Sequence, residues 1–113
     1  MKGAVPASRL AGTENQVAWA EEIRMRVNAE FDRVAEAFAS VAARQTGQDK
    51  LDSAAVIAIL EEKRAEVMSK DSAGYFIQAW QELSDQVRKL IAKDSRFQAI
   101  KAAKAARNSP HVD

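Results

Sequence analysis

The sequence predicts an all-α fold, a bundle of three to four helices led by a long N-terminal helix. Three observations carry that expectation. Apolar residues recur at spacings of three and four over long stretches, which is the period of a helix with one buried face. Alanine is abundant and β-branched residues are sparse, and only four Gly and two Pro interrupt 113 residues. No segment alternates apolar and polar residues as a half-buried strand would, and no hairpin signal or internal repeat is present.

Residues 1–12 read as a flexible lead-in, with Gly3, Pro6 and Gly12 discouraging regular structure. Leu10 is placed to fold back onto the domain. Helix 1 is expected over about 13–45. Thr13 and Gln16 form a capping box, and Glu14 complements the positive end of the helix dipole. Ala20, Ile23, Val27, Phe31, Val34, Phe38 and Val41 then fall within about an 80° stripe. Thr46-Gly47 is the stop. At 1.5 Å per residue this helix is about 48 Å long.

Helix 2 is expected over about 52–69, with Asp49 or Asp52 as cap and Val56, Ile57, Leu60, Val67 and Met68 as its stripe. Arg64 falls inside that stripe and must either snorkel to water or find a carboxylate, for which Glu30 is the candidate. Helix 3 is expected over about 72–93, with Ala73, Phe76, Ile77, Trp80, Leu83, Val87, Leu90 and Ile91 on a broad apolar face. Helix 4, about 95–107, opens on a second capping box of Ser95 and Gln98 and carries Phe97, Ile100 and Ala103. Residues 13–108 are thus one helical domain, and 109–113 a tail. Helices 2 and 3 are each shorter than helix 1, so part of its stripe needs helix 4, a bend or a second chain. A homodimer through helix 1 or the bundle face is the expectation.

The chemistry-bearing residues are few. With no cysteine, disulfides, zinc thiolates and thiol catalysis are excluded. The lone histidine, His111, lies in the tail and cannot complete a helical metal site. Glu61, Glu62 and Glu66 read as a solvated surface rather than a cation site. There is no Gly-rich phosphate loop and no nucleophile elbow. The expectation is a non-enzyme with no cofactor, no metal and no small-molecule substrate. No apolar run suits a signal peptide or a membrane span, so the expected location is cytoplasmic, without a membrane partner.

Charge is uneven although the net is +1. Residues 86–112 hold seven Lys and Arg against one Asp, a local +6. Arg96, Lys101, Lys104 and Arg107 are the candidate nucleic-acid contacts. Phe97 and Ile100 lie among them, so lysine stems snorkelling over a packed face are the competing reading. For a protein interface the candidates are Trp19 and Arg24 on the two edges of the helix 1 stripe, Met25 on its outer face beside Ala18 and Ala29, and Tyr75, pointing away from the core side of helix 3. Trp19 is expected to seal the end of the bundle.

The segment "LAGTENQVAWAEEIR", residues 10–24, resembles a Leu-x-Gly-Ser/Thr-x-x-Gln-Ile/Val-x-Trp-Ala-x-x-Ile-Arg stretch found in small proteins of bacteria, phages and plasmids, a group with no established activity. Leu10, Gly12, Thr13, Gln16, Val17, Trp19, Ala20, Ile23 and Arg24 carry the match. The resemblance implies a prokaryotic or mobile-element origin. Small helical phage proteins act by binding a host protein or DNA, and inhibitors of host systems such as CRISPR defence belong to that class. The leading expectation is a non-catalytic, self-associating module for protein–protein interaction with a partner of unknown identity. A nucleic-acid accessory protein and a phage-encoded inhibitor are the alternatives.

Overall fold

The computed structural model describes residues 10–108. The lead-in over residues 1–9, the tail over 109–113 and with it His111 lie outside the described residues. Within them the chain is all-α, with five helices: α1 (Glu14–Ala42), α2 (Gly47–Met68), α3 (Ala73–Ala79), α4 (Leu83–Lys93) and α5 (Ser95–Asn108).

α1 begins as its sequence dictates. The Thr13 hydroxyl accepts from the Gln16 amide at 3.2 Å, and Gln16 Oε1 accepts from the Thr13 amide at 3.1 Å. Ahead of this cap the chain is clamped onto the start of α3. The Ala11 amide donates to Asp71 O at 2.8 Å, and the Ala73 amide donates to Ala11 O at 2.9 Å. This short parallel bridge buries Leu10 in the core. Gly12 makes the clamp feasible, because its φ of 152° is poorly suited to a side chain and an added Cβ would lie 3.0 Å from Ala73 Cβ.

α2 runs back antiparallel along α1, as the pairs Arg24–Met68 and Asp32–Arg64 show. Ala20, Val27, Phe31 and Val34 of α1 meet Val56, Ile59, Leu60 and Val67 of α2 in one core, which Ala73, Phe76, Trp80, Val87 and Ile91 complete. The Trp80 indole stands edge-on to Phe31 with centroids 6.3 Å apart.

Four expectations need correction. Helix 3 is not continuous: it breaks between Ala79 and Leu83, which raises the count to five. No Gly or Pro marks the break. The Gln86 side chain makes it feasible, donating from Nε2 to Ala79 O and accepting from the Glu82 amide at 2.8 Å. One amide thus satisfies backbone groups on both sides of the interruption. α2 starts earlier than expected, at Gly47, so Asp49 and Asp52 lie inside the helix rather than capping it. Asp94, not Ser95, caps α5, its carboxylate accepting from the Arg96 amide at 2.8 Å, while Gln98 Nε2 donates to Ala92 O at 3.0 Å. Arg64 does not reach Glu30. It meets Asp32 at 2.6 Å, Asn28 at 3.1 Å and Glu61 at 3.1 Å, with its guanidinium 5.8 Å from the Phe31 ring centroid. Two residues along a helix turn by about 200°, so Glu30 lies away from the α2 side occupied by Asn28 and Asp32. Glu30 pairs instead with Arg33 on its own helix.

Candidate functional site

The resemblance segment is largely accounted for by folding. Leu10 and Ala20 are buried, Val17 and Ile23 pack against the core, and Gly12, Thr13 and Gln16 build the clamp and cap. Arg24 Nη2 donates at 3.0 Å to Met68 O in the last turn of α2, where an orphan carbonyl and the negative end of the dipole both favour a cation. Trp19 stands apart. It does not seal the bundle: the residue is 58% exposed. The expected seal fails because the clamp already fills that end with Leu10 and Ala73. Met25 is 73% exposed on the outer face of α1. Tyr75 is turned inward rather than outward. Its ring packs edge-on against Phe76 with centroids 5.0 Å apart, and its hydroxyl accepts from Trp80 Nε1 at 3.3 Å.

The basic C-terminal region divides in two. Arg96 grips both Glu62 oxygens, at 2.8 and 3.1 Å, and Asp94 at 2.9 Å. Arg107 meets Asp49 and Asp52, each at 2.8 Å. These contacts staple α5 antiparallel to α2. Beside Arg96 and Lys63 the Asp94 carboxyl is held well below the usual carboxylate range, and Arg96 also lowers Glu62. Gln48 and then Arg107 lower Asp52. Lys89 is taken by Glu82 at 3.0 Å. Of the seven cations over 86–112, Arg88, Lys93, Lys101 and Lys104 make no ion pair among the described residues.

α5 packs on α2 and α4, and its backbone stays clear of α1. Two adjoining cavities result, with Phe38 common to both. One, of about 140 Å³, lies between α1, α2 and α5, with Phe38, Ser53, Val56, Phe97 and Ile100 as its body. Asp52, Lys101 and Lys104 stand at its polar edge. Asp52 is occupied by Arg107, so the uncommitted charge there is positive. Lys101 Nζ lies 5.8 Å from the Phe97 ring centroid. The other cavity, of about 150 Å³, is a pocket over Ala37 formed by Val34, Ala37, Phe38 and Val41, with Arg88 of α4 at its rim. Val41 is 41% exposed, so the far end of the α1 stripe is the part without a full cover. Sequence reasoning anticipated that shortfall from helix lengths but could not place it.

Among the described residues no group of three or more His, Asp or Glu side chains is placed to hold a metal ion, and no helix is long and apolar enough to cross a membrane. Glu61 and Glu62 of the sequence cluster serve Arg64 and Arg96. Comparison with family models, curated proteins and solved structures finds no match to this chain.

Proposed function

We propose that the chain is a non-catalytic helical module whose work is to bind protein. The observation that carries this reading is the cleft between α1 and α5: an apolar floor of Phe38, Val56, Phe97 and Ile100 beside two lysines, Lys101 and Lys104, that make no ion pair among the described residues. Each of the two adjoining pockets has room for one or two apolar side chains, the anchors that an amphipathic helix presents on one face. The lysines select an acidic one, since complementary charge steers encounter and rejects basic competitors. Nucleic acid is the less favoured partner. Two of its four candidate contacts, Arg96 and Arg107, are already committed to carboxylates, and the Phe38 and Phe97 rings beside the remaining lysines are packed against the core rather than exposed as stacking platforms.

Fluorescence anisotropy separates the two. The probes are a labelled acidic amphipathic peptide, leucines on one face and glutamates elsewhere, and a labelled DNA duplex. The peptide is expected to bind, and the variant Lys101→Glu with Lys104→Glu to bind it about tenfold or more weakly. Duplex binding with steep salt dependence and no peptide binding would replace this reading with the nucleic-acid one.

A further inference from the structure

A second cavity lies between the end of α2 and the break that separates α3 from α4. We infer that it binds a small zwitterion with an apolar side chain, of the kind a free α-amino acid such as phenylalanine presents. Its volume is about 320 Å³, at the lower end of the roughly 300–1,000 Å³ of small-molecule sites. Val67 of α2, Tyr75 and Trp80 at the two ends of α3, and Leu90 of α4 form its apolar lining. Val67 and Trp80 are buried, and Tyr75 and Leu90 half-buried. None of its residues lines the cleft over Phe38 or the pocket beside it, so the inference stands apart from the proposed function.

The charges of the cavity select the class of ligand. Glu66 and Lys70 line it, are exposed, and make no ion pair among the described residues, either with each other or elsewhere. Four residues apart inside a helix, they would be placed to pair. α2 ends at Met68, however, and Lys70 lies past that end with its Nζ 5.6 Å from the Tyr75 ring centroid. An anion here meets Lys70 and the hydroxyl of the same tyrosine, which accepts from Trp80 Nε1 at 3.3 Å and donates to no acceptor among the described residues. A cation meets Glu66. An apolar α-amino acid carries all three features at once: a carboxylate to accept from Lys70 and Tyr75, an ammonium to donate to Glu66, and a side chain for the apolar lining. The helix break points the same way. The chain leaves helical backbone at Trp80 and Glu82, with ψ of 46° and 48°, where no Gly or Pro requires it. Ala79, where α3 ends, and Gln86, whose amide holds the interruption, both line the cavity. A departure from local helix preference is expected where a site rather than propensity sets the backbone.

Isothermal titration calorimetry with L-phenylalanine tests the inference. Three further probes each lack one feature: phenylpropionate the ammonium, phenethylamine the carboxylate, and glycine the apolar side chain. Phenylalanine is expected to bind with a Kd below about 1 mM. Each of the other three is expected to bind about tenfold or more weakly, as are the variants Lys70→Glu and Glu66→Lys with phenylalanine. Both substitutions are at exposed positions, and circular dichroism checks that the variants stay helical. Location is read from tryptophan emission. Trp19 lies outside the cavity, so in a Trp19→Phe background Trp80 is the sole reporter, and its emission is expected to change with phenylalanine on the same isotherm. No heat from phenylalanine at about 10 mM, binding of either single-charge analogue or of glycine as tight as that of phenylalanine, or either variant binding like wild type overturns the inference. Heat without a change in Trp80 emission overturns it as well, because the ligand is then bound elsewhere.

Discussion

Replacing Gly12 by alanine tests how the N-terminal clamp is built, and Gly47 is its internal control. Both glycines have positive φ, 152° and 59°. Gly47 has nothing within 4 Å of an added Cβ, whereas Gly12 has Ala73 Cβ at 3.0 Å and Gln16 Oε1 at 3.2 Å. At Gly47 the cost is conformational alone, about 1–2 kcal/mol for a side chain in the left-handed region. At Gly12 a comparable strain of about 1–3 kcal/mol is joined by displacement of α3 from the clamp. Each of the two bridge hydrogen bonds contributes about 1 kcal/mol, and loosened packing of Leu10 adds to that. The expected loss is about 3–5 kcal/mol, a large share of the 5–15 kcal/mol typical of a domain. Urea unfolding followed by circular dichroism measures both variants, with the slope checked for two-state behaviour. Equal losses at the two glycines would refute the clamp's contribution, and a Gly12→Ala loss under about 1 kcal/mol would refute the strain argument too.

Three further expectations follow from the packing and the ion pairs. Phe31→Ala removes a fully buried ring that Trp80 and Arg64 both contact, and should cost about 3–5 kcal/mol in the same unfolding assay. Arg24→Met keeps the aliphatic stem but leaves Met68 O without its donor, for an expected loss of about 1–2 kcal/mol and faster amide exchange at the end of α2. Asp94, Glu62 and Asp52 all have folded pKa values below their unfolded ones. Their contribution is therefore present above about pH 4–5 and lost as pH falls through the lower folded values. The melting temperature should hold between pH 7 and about 5 and drop on further acidification, and Asp94→Asn should flatten that drop. A wild-type profile flat down to pH 2 would contradict the assignment.

What the sequence made legible was what local pattern controls. The α1 cap depends on Thr13 and Gln16 alone, and the core stripes depend on helical period, so both were readable in advance. The return of Leu10 was readable too, since an isolated leucine beside a glycine has the domain as its nearest apolar surface. The break in the third helix was not, because the residues from Trp80 to Glu82 include no helix breaker. Its stabiliser is a glutamine seven residues past the carbonyl it serves, a pairing that exists only once the chain has turned. Arg64 was correctly read as needing a partner, but choosing Asp32 over Glu30 required knowing on which side α2 lies. The basic region misled in the same way. A count of charges along the chain cannot show that Arg96 and Arg107 fold onto acids more than thirty residues away. Trp19 was visible as unusual, but its exposure follows from the clamp occupying the place it was expected to fill.

The cleft over Phe38 is tested most directly by mapping backbone amide shifts of the labelled chain while the acidic amphipathic peptide is added. The account predicts shifts that cluster at Phe38, Ser53, Val56, Phe97 and Ile100 and that need about tenfold or more peptide to appear in the Lys101→Glu, Lys104→Glu variant. An unchanged spectrum, or shifts confined to the outer face of α1 around Met25, would contradict it.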